Sequence, residues 1–431
     1  MNDERRNTGV RSDESATPRR LSPETELLQD AISDTFAGVV PAIYQTSLFT
    51  FDTFAQMRAT LSGDDSNRYV YSRGRNPTVD AFERKVADLE GAEDALGFAS
   101  GMAAISALLI GNLRTGDRIV CVRNVYPDAY RLMTKVLPRF GIAVQFVDGR
   151  DHAAVSAALQ GDALAADENE PATGAGPAAM LYLESPTSQL FELQDVELLA
   201  QAASEVGALT VLDNSWATPL GQRPLKHGVD LVVHSASKYL SGHSDLVAGV
   251  VVGRRQLIDR LRSEALMLLG GRLAPFEAWL LLRGLRTLPV RLERHGRSAL
   301  KVARFLKEHD SVRAVHYPGL PNHPQHRLFT KYFRLGSGLL SFELEREEMV
   351  EAFVDSLRLF RLGVSWGGYE SLVYPSLLNH LTGAADGAAR SFEVPRALVR
   401  LHVGLEDPAD LIDDLSRALS TATKGGVSLA T

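Results

Sequence analysis

Short apolar runs alternate with amphipathic helical stretches through residues 76–254, and this alternation limits the possible folds more than any other feature of the sequence. The runs predict strands at residues 119–122, 143–147, 179–183, 209–212, 229–233 and 247–252. Strands that alternate with helices are typical of parallel pairing through helical crossovers. The pattern therefore predicts an α/β fold with a mostly parallel sheet and helices on both of its faces.

A second region with a different pattern follows. Residues 275–308 predict a long helical stretch with breaks near Gly284 and Pro289, and a strand at 338–344 and helices at 347–359 and 408–419 come after it. Because 431 residues exceed what one hydrophobic core usually supports, we expect two domains. The predicted division is a disordered tail at 1–22, an N-terminal arm at 23–75, a larger α/β domain at 76–274 and a smaller one at 275–431, with a surface loop at 160–178.

The composition disfavours several classes of partner. With 46 basic and 53 acidic side chains the net charge is −7, so we expect no general attraction for nucleic acid. The first 20 residues contain no signal-peptide core, and the apolar runs are shorter than the ~20 residues of a membrane span, so we expect no membrane segment. The only cysteine, Cys121, lies in an apolar run, which predicts a buried thiol and a cytoplasmic location.

Polar residues follow three of the predicted strands, at the edge where ligands bind in open α/β sheets. Glu184 begins one such segment, Asp213 begins the next, and Lys238 lies in a serine-rich third. Each alone has an ordinary explanation as a turn residue, a cap or an exposed lysine. Together they predict a site for pyridoxal 5′-phosphate (PLP), with Lys238 as the Schiff-base amine, Asp213 as the acid at the pyridine nitrogen, and Ser235 and Ser237 as phosphate ligands.

Two upstream features fit the same cofactor. The segment ASGMAA at 99–104 opens an apolar helix, where small residues let backbone amides approach a phosphate oxygen. Tyr126 follows the strand that ends at Val122, where its ring can stack on a planar cofactor. Ordinary helix packing and a half-buried loop tyrosine are the alternatives.

Other catalytic motifs are weak or absent from the sequence. His316, His323 and His326 lie in a stretch rich in proline and glycine, and their spacing fits no helical metal motif, so we expect no metal site. The sequence has no nucleophile elbow, phosphate-binding Walker loop or dinucleotide glycine fingerprint, which disfavours a nicotinamide enzyme.

Six segments resemble one family of enzymes in sequence and in order. These are YVYSRGRNPT at 69–78, SGM at 100–102, DNSW at 213–216, SASKYLSGHSD at 235–245, SWGGYES at 365–371 and VRLHVGLED at 399–407. They are similar to motifs of the Cys/Met-metabolism family of PLP enzymes, and the resemblance runs from about residue 35 to residue 419. Within the family, the last three segments are most similar to those of cystathionine β-lyases.

The resemblance implies a fold type I enzyme that is a homodimer, or a homotetramer built from dimers, with active sites shared across each dimer. It implies that Lys238 binds the cofactor and moves protons, that Asp213 contacts the pyridine nitrogen, and that Tyr126 stacks on the ring. The matched substrate-binding positions are Arg400, which grips the substrate carboxylate, and Ser365. The matched phosphate-binding positions are Gly101, Met102, Ser235 and Ser237 in the same subunit, and Tyr71 and Arg73 from the neighbouring subunit.

Three positions depart from the family pattern. Ser188 and Gln189 replace the Asn-Pro of many members, so we expect a weakened contact with the phenolic oxygen of the cofactor. Val364, at a position that faces the substrate side chain, replaces the tyrosine of most β-lyases, whereas γ-eliminating members have Glu or Val there. Asp128 lies near the expected leaving group, where it either attracts a cationic substrate group or caps a helix.

We therefore expect a PLP-dependent lyase that expels a sulfur leaving group from an amino acid, with β-elimination as in cystathionine β-lyase as the first interpretation. The alternative is γ-elimination or γ-replacement, as in methionine γ-lyase, cystathionine γ-synthase or an enzyme that uses a sulfonium such as S-adenosylmethionine. A binding protein without catalytic activity would lack Lys238 or Asp213, and both are present.

Overall fold

The computed structural model describes residues 22–28, 38–65, 67–161, 176–382 and 388–425. The predicted disordered tail lies outside the described residues except for Ser22. The predicted surface loop at 160–178 also lies outside them over residues 162–175.

Seven strands form the larger sheet. They are β1 Asp94–Phe98, β2 Arg118–Val122, β3 Ala143–Val147, β4 Met180–Glu184, β5 Leu209–Asp213, β6 Leu231–His234 and β7 Gly249–Gly253. Their order is β1-β7-β6-β5-β4-β2-β3, and β7 is the one strand that runs opposite to the other six. Every residue of β2, β4 and β7 is buried, as expected for strands covered on both faces. The predicted mostly parallel sheet is confirmed.

A second, smaller sheet follows along the chain. Its strands are β8 Val312–His316, β9 Leu339–Leu344, β10 Arg361–Leu362, β11 Leu372–Pro375 and β12 Leu398–His402. They are ordered β10-β11-β12-β9-β8, with only β10 and β11 parallel. The boundary at 274/275 between two domains stays a prediction.

Helices connect and cover the two sheets. They are α1 Pro23–Glu26, α2 Phe54–Leu61, α3 Pro77–Glu90, α4 Gly101–Asn112, α5 Pro127–Arg131, α6 His152–Gln160, α7 Val196–Glu205, α8 Thr218–Gly221, α9 Arg255–Arg260, α10 Met267–Leu269, α11 Pro275–Lys307, α12 His326–Tyr332, α13 Met349–Ser356, α14 Leu377–Thr382, α15 Ala388–Ser391 and α16 Pro408–Gly425. Within the described ranges, none is long and apolar enough to span a membrane.

The start of α4 illustrates how the sequence sets a helix end. Ser100 has extended backbone angles, and its side chain accepts a hydrogen bond of 2.9 Å from the N–H of Ala103. This is the usual geometry of a serine N-cap. The cap fixes the first turn of α4 at the edge of the larger sheet.

The predicted breaks in the long helical stretch are wrong, because α11 runs unbroken past Gly284 and Pro289. Leu281, Leu285 and Leu288 on this helix are buried. Burial of an apolar face contributes more to helix stability in a folded protein than local propensity does, so packing outweighs the helix-breaking residues.

The N-terminal arm lies on the surface with apolar side chains exposed. Helix α2 has no buried residue, and Phe54 is 80% exposed. Val39, Met57 and Leu61 are exposed as well. A run of exposed apolar side chains is typical of a surface that binds another protein.

Candidate active site

The carboxyl ends of several strands meet at one edge of the larger sheet. Because β7 is antiparallel to both β1 and β6, strand β1 runs in the same direction as β2, β4, β5 and β6. A cavity of about 400 Å³ opens at this edge. The residues that line it are Ser100, Gly101, Met102, Ile105, Tyr126, Glu184, Pro186, Thr187, Ser188, Phe191, Asp213, Ser215, Trp216, Ser235, Ser237, Lys238, Ser244, Leu246, Val247, Leu339, Ser365, Trp366, Glu370 and Arg400.

Lys238 lies in the turn after β6. Its Nζ donates a hydrogen bond of 2.7 Å to Ser365 Oγ and lies 5.3 Å from the centre of the Trp366 ring. Burial and the positive charge of Arg400 lower the pKa of Lys238 to about 8, while Asp213 opposes that change. The amine is therefore partly neutral near neutral pH, which is the form that attacks a carbonyl carbon.

Asp213 is the last residue of β5 and is 9% exposed. Its Oδ1 accepts a hydrogen bond of 2.9 Å from the N–H of Ser215. Burial raises the pKa of Asp213, and the bonds from Ser215 and the nearby Lys238 and His234 work in the opposite direction. A buried carboxylate of this kind is suited to pair with a cation or a protonated ring nitrogen.

A buried polar network, which sequence reasoning missed, supports the ends of β5 and β6. Glu90 Oε1 accepts a hydrogen bond of 3.0 Å from Asn214 Nδ2 and lies 2.7 Å from His234 Nε2. All three side chains are buried, and Asn214 and His234 are next to Asp213 and Ser235 in the chain. A strand end gives no sign of which distant helix packs behind it, and Glu90 comes from the last turn of α3.

The start of α4 and the loop after β6 face each other across the cavity. A Cβ on Gly101 would lie 3.0 Å from Ser235 Oγ, so only glycine fits there without a shift. The N–H groups of Gly101 and Met102 belong to the first helical turn, where no intrahelical acceptor is available. Ser237 Oγ accepts a hydrogen bond of 2.9 Å from the N–H of Ala248.

Arg400 approaches the cavity from β12 in the smaller sheet. Its Nη2 donates a hydrogen bond of 3.0 Å to the carbonyl oxygen of Val364, and its guanidinium lies 5.3 Å from the centre of the Tyr374 ring. Burial lowers the pKa of Arg400 to about 10, and Tyr374 opposes that change. A planar guanidinium held in this way can bind a carboxylate through two hydrogen bonds.

Glu184 and Ser188 form a second feature of the site, where the sequence placed both residues but gave Glu184 no role. The N–H of Tyr126 donates 2.8 Å to Glu184 Oε2, and Ser188 Oγ donates to Glu184 Oε1. Burial and the nearby Asp213 raise the pKa of Glu184. Its position at the end of β4 was the available signal, since the ends of β5 and β6 had already drawn attention to Asp213 and Lys238.

The alternative that Asp128 caps a helix is wrong. Helix α5 begins at Pro127 with Tyr126 as its N-cap residue, and no side chain caps it. Asp128 Oδ2 accepts a hydrogen bond of 2.9 Å from the Tyr126 hydroxyl, and its other oxygen pairs with Arg131. Tyr126 borders the cavity, whereas Asp128 does not.

Like Asp128, the predicted site residues Val364, Tyr71 and Arg73 do not line this cavity. The side chain of Val364 is 79% exposed, and only its carbonyl oxygen contacts the site, through Arg400. Tyr71 and Arg73 lie on the arm, where the Arg73 guanidinium is 5.5 Å from the centre of the Tyr71 ring. Both side chains are exposed. Their predicted role belongs to a neighbouring subunit and stays a prediction.

The histidine-rich stretch shows other contacts. His316 Nε2 lies 2.8 Å from Glu343 Oε1, and His326 Nδ1 lies 3.0 Å from the carbonyl oxygen of Pro318. Across the part of the chain that the structure covers, no group of three His, Cys, Asp or Glu side chains could hold a metal ion.

The chemistry of the cavity fits PLP. An amine, a buried carboxylate and an aromatic ring border it in Lys238, Asp213 and Tyr126. Serine hydroxyls lie at the same edge, together with the start of α4, where Gly101 lets the helix come close to Ser235. These are the groups that bind a planar aldehyde carrying a phosphate, and the volume is within the range of small-molecule pockets.

Comparisons with known proteins agree with this fit. The family described as "Cys/Met metabolism PLP-dependent enzyme" matches residues 24–420. L-Methionine γ-lyase from Pseudomonas deceptionensis is 39% identical over 387 residues, covering 89% of this chain and 92% of the relative. Cystathionine β-lyase from Coxiella burnetii is 37% identical, covering 87% and 92%. Cystathionine γ-synthase from Xanthomonas oryzae pv. oryzae, solved with aminoacrylate and cysteine, superposes with a TM-score of 0.83 at 35% identity, covering 94% of this chain and 99% of the other.

Proposed function

The chain belongs to the family of Cys/Met metabolism PLP-dependent enzymes, and on that basis we propose that it cleaves a C–S bond of a sulfur-containing amino acid by elimination. It has the fold type I architecture of PLP enzymes, with a large sheet and a second, smaller sheet. The observation that carries the proposal is that Lys238, Asp213 and Arg400 border one cavity. They supply the amine, the acid and the carboxylate-binding guanidinium that such a reaction needs.

PLP supplies an aldehyde for an amine and a ring that accepts the electrons left at Cα when a proton is removed. Lys238 would hold the cofactor and would act as general base for the Cα proton. Its pKa of about 8 keeps a minor but usable fraction of the amine neutral at physiological pH, so it accepts a proton and returns it. Asp213 keeps the ring nitrogen protonated.

Other residues orient the cofactor and the substrate. The N–H groups of Gly101 and Met102 and the hydroxyls of Ser235 and Ser237 hold the phosphate. The ring of Tyr126 covers one face of the cofactor. These assignments rest on the positions of the groups around the cavity.

Arg400 holds the substrate α-carboxylate. Its anchor to the carbonyl of Val364 fixes the guanidinium plane, and Ser365 is the next residue in the chain and borders the same cavity. Binding the carboxylate at a fixed point sets the Cα–H bond in line for removal by Lys238.

The sulfur leaves from either Cβ or Cγ of the substrate, and a separate observation supports each position. The segment SWGGYES at 365–371 favours β-elimination, and a cystathionine β-lyase is 37% identical to this chain. The methionine γ-lyases that are 39% and 38% identical to this chain support γ-elimination. γ-Elimination needs a second proton removed, from Cβ, before the sulfur leaves.

We also propose a homodimer or homotetramer with shared sites. The exposed apolar side chains of the arm support a second copy as the partner, with Tyr71 and Arg73 reaching its cofactor phosphate. The buried position of Cys121 in β2 supports a cytoplasmic location, where thiols stay reduced.

The test is product analysis with purified protein and added PLP. Cystathionine, methionine, an O-substituted homoserine and S-adenosylmethionine are supplied separately. β-Elimination of cystathionine with water gives homocysteine, pyruvate and ammonia, whereas γ-elimination gives cysteine, 2-oxobutanoate and ammonia. Failure of all four substrates to yield an oxo acid or a replacement product, with a Lys238→Ala control behaving identically, would refute the proposal.

A further inference from the structure

Tyr126 and Asp128 are joined by a hydrogen bond at the mouth of the candidate site. The Tyr126 hydroxyl donates 2.9 Å to Asp128 Oδ2. Tyr126 borders the cavity, while Asp128 does not line it. The only hydrogen that the phenol can donate is therefore directed toward a carboxylate that does not line the cavity.

The carboxylate of Asp128 is held from its other side. Its Oδ1 accepts a hydrogen bond from Arg131, three residues later on α5. Arg131 neutralises the negative charge of Asp128. An ion pair that is half exposed to water on a short helix interacts only weakly with a distant substrate. This geometry disfavours Asp128 as the direct contact of a cationic substrate.

The position of the Tyr126 ring depends on few contacts. The ring is 42% exposed, and its main chain is held by the bond from its N–H to Glu184 Oε2. Asp128 therefore holds the far end of a side chain whose near end is fixed at Glu184. Two fixed points set the angle of an aromatic ring, whereas one leaves it free to turn about χ1 and χ2.

We infer that Asp128 is a positioning residue, which fixes the Tyr126 ring over the cofactor through the hydroxyl hydrogen bond and acts on the reaction only through Tyr126. This inference rests on the proposed function, because it assigns Tyr126 to one face of PLP. It differs from a purely structural role, in which Asp128 stabilises the first turn of α5 through the helix dipole and Arg131.

A double-mutant cycle separates these roles. The four proteins are wild type, Tyr126→Phe, Asp128→Ala and the double variant. We expect Asp128→Ala to lower kcat about tenfold or more, as for a lost hydrogen bond to a charged group, while KM changes little. In the Tyr126→Phe background the same change should alter kcat less than about twofold, because the hydroxyl it acts on is gone.

A second observable keeps the test independent of turnover. The dissociation constant of PLP is measured for the four proteins by titrating the apoenzyme. It should rise in Asp128→Ala and should not rise further when Phe also replaces Tyr126. If Tyr126→Phe has no measurable turnover, this cycle decides alone. The matched control is Asp148→Ala, which removes a comparably exposed carboxylate paired with Arg150 at 2.7 Å and should change neither observable.

Three outcomes would overturn the inference: no effect of Asp128→Ala on either observable, an equal effect with and without the Tyr126 hydroxyl, or a loss confined to cationic substrates. If the proposed function is wrong, the wild-type protein itself forms no product from cystathionine, methionine, an O-substituted homoserine or S-adenosylmethionine. A protein that binds PLP tightly and shows the cycle, yet cleaves no C–S bond, would keep the inference and refute the function.

Discussion

At the scale of single residues, the reactivity of Lys238 depends on two charges of opposite sign. Arg400 and burial lower the pKa of its amine to about 8, and Asp213 raises it. Only the neutral amine attacks an aldehyde. The rate at which apoenzyme takes up PLP should therefore rise about tenfold per pH unit below pH 8 and level off above it.

The substitution Arg400→Leu tests the sign of this effect. Removing a cation removes a cause of the lowered pKa, so the midpoint of PLP uptake should move to higher pH. Arg396→Leu is the control, because Arg396 is exposed and pairs with Glu347 away from the cavity. A midpoint that stays in place in Arg400→Leu, or moves to lower pH, contradicts the electrostatic account.

The same variant tests substrate binding. Arg400→Leu should retain bound PLP and lose about a hundredfold or more in kcat/KM, as when one partner of a buried charge pair is removed. The visible absorbance of the holoenzyme and steady-state kinetics measure the two effects. Unchanged kcat/KM would remove Arg400 from the substrate site.

The sequence was informative about residues that follow strands and much less so about their neighbours in space. Lys238 and Asp213 were predicted because strand ends share an edge of the sheet, and Arg400 needed the family resemblance, since an arginine on an antiparallel strand has no local signal. The Glu90–His234 pair could not be predicted, because it joins α3 to β6 across 144 positions. The exposure of the Val364 side chain was also missed, because motif similarity does not report how a side chain is packed.

At the scale of elements, α11 packs directly against the loop that carries Lys238. A Cβ on Gly284 would lie 2.3 Å from the carbonyl oxygen of Ser241 and 2.6 Å from that of Leu240. Arg291, also on α11, donates 3.0 Å to the carbonyl oxygen of Tyr239. The helix therefore fixes the three residues that follow the lysine.

The substitution Gly284→Ala tests whether helix propensity or this packing has the larger effect on the free energy of unfolding. Propensity alone predicts a gain of about 1 kcal/mol in the free energy of unfolding, whereas forcing a methyl against backbone predicts a loss of about 1–3 kcal/mol. We expect the loss, together with weaker PLP binding, because the Lys238 loop must shift. Denaturant unfolding of the apoenzyme and PLP titration measure both, and a more stable variant with unchanged PLP affinity would show that the contact can relax.

The elements predicted best were the apolar strands of the larger sheet. Strand β3 was predicted to the residue and its parallel neighbours to within two residues, because continuous apolar runs bounded by turns leave little choice. Strand β1 was not predicted, since its DALGF sequence is short, contains Gly97 and resembles the end of a helix. The continuous α11 was predicted as broken because local helix breakers were given more weight than the buried face of the whole helix.

At the scale of the whole molecule, the N-terminal arm has exposed side chains that contacts within one chain do not explain. Its apolar side chains are exposed, and Arg73 lies outside the cavity formed by its own chain. If Arg73 serves a neighbouring subunit, two inactive variants should restore each other. Co-assembled Arg73→Ala and Lys238→Ala should regain about a quarter of wild-type activity, since about half of randomly mixed dimers are hybrids and each has one native site.

The matched control uses two residues that border the same cavity within one chain. Co-assembly of Lys238→Ala with Arg400→Leu should restore nothing, because no site in the hybrid receives both native residues. Hybrid formation is verified with differently tagged subunits. Equal recovery in both mixtures, or none in either despite verified hybrids, would contradict sites shared through the arm.

Chemical trapping shows whether the Lys238 amine carries PLP in a site that cleaves C–S bonds. Wild-type protein is incubated with PLP, reduced with borohydride, digested and analysed by mass spectrometry, and its C–S cleavage is measured before and after reduction. We expect the cofactor to remain on the peptide that contains Lys238 and cleavage to be lost on reduction. Attachment to a different lysine, or reduction that fixes no cofactor and leaves cleavage intact, would contradict this role of Lys238.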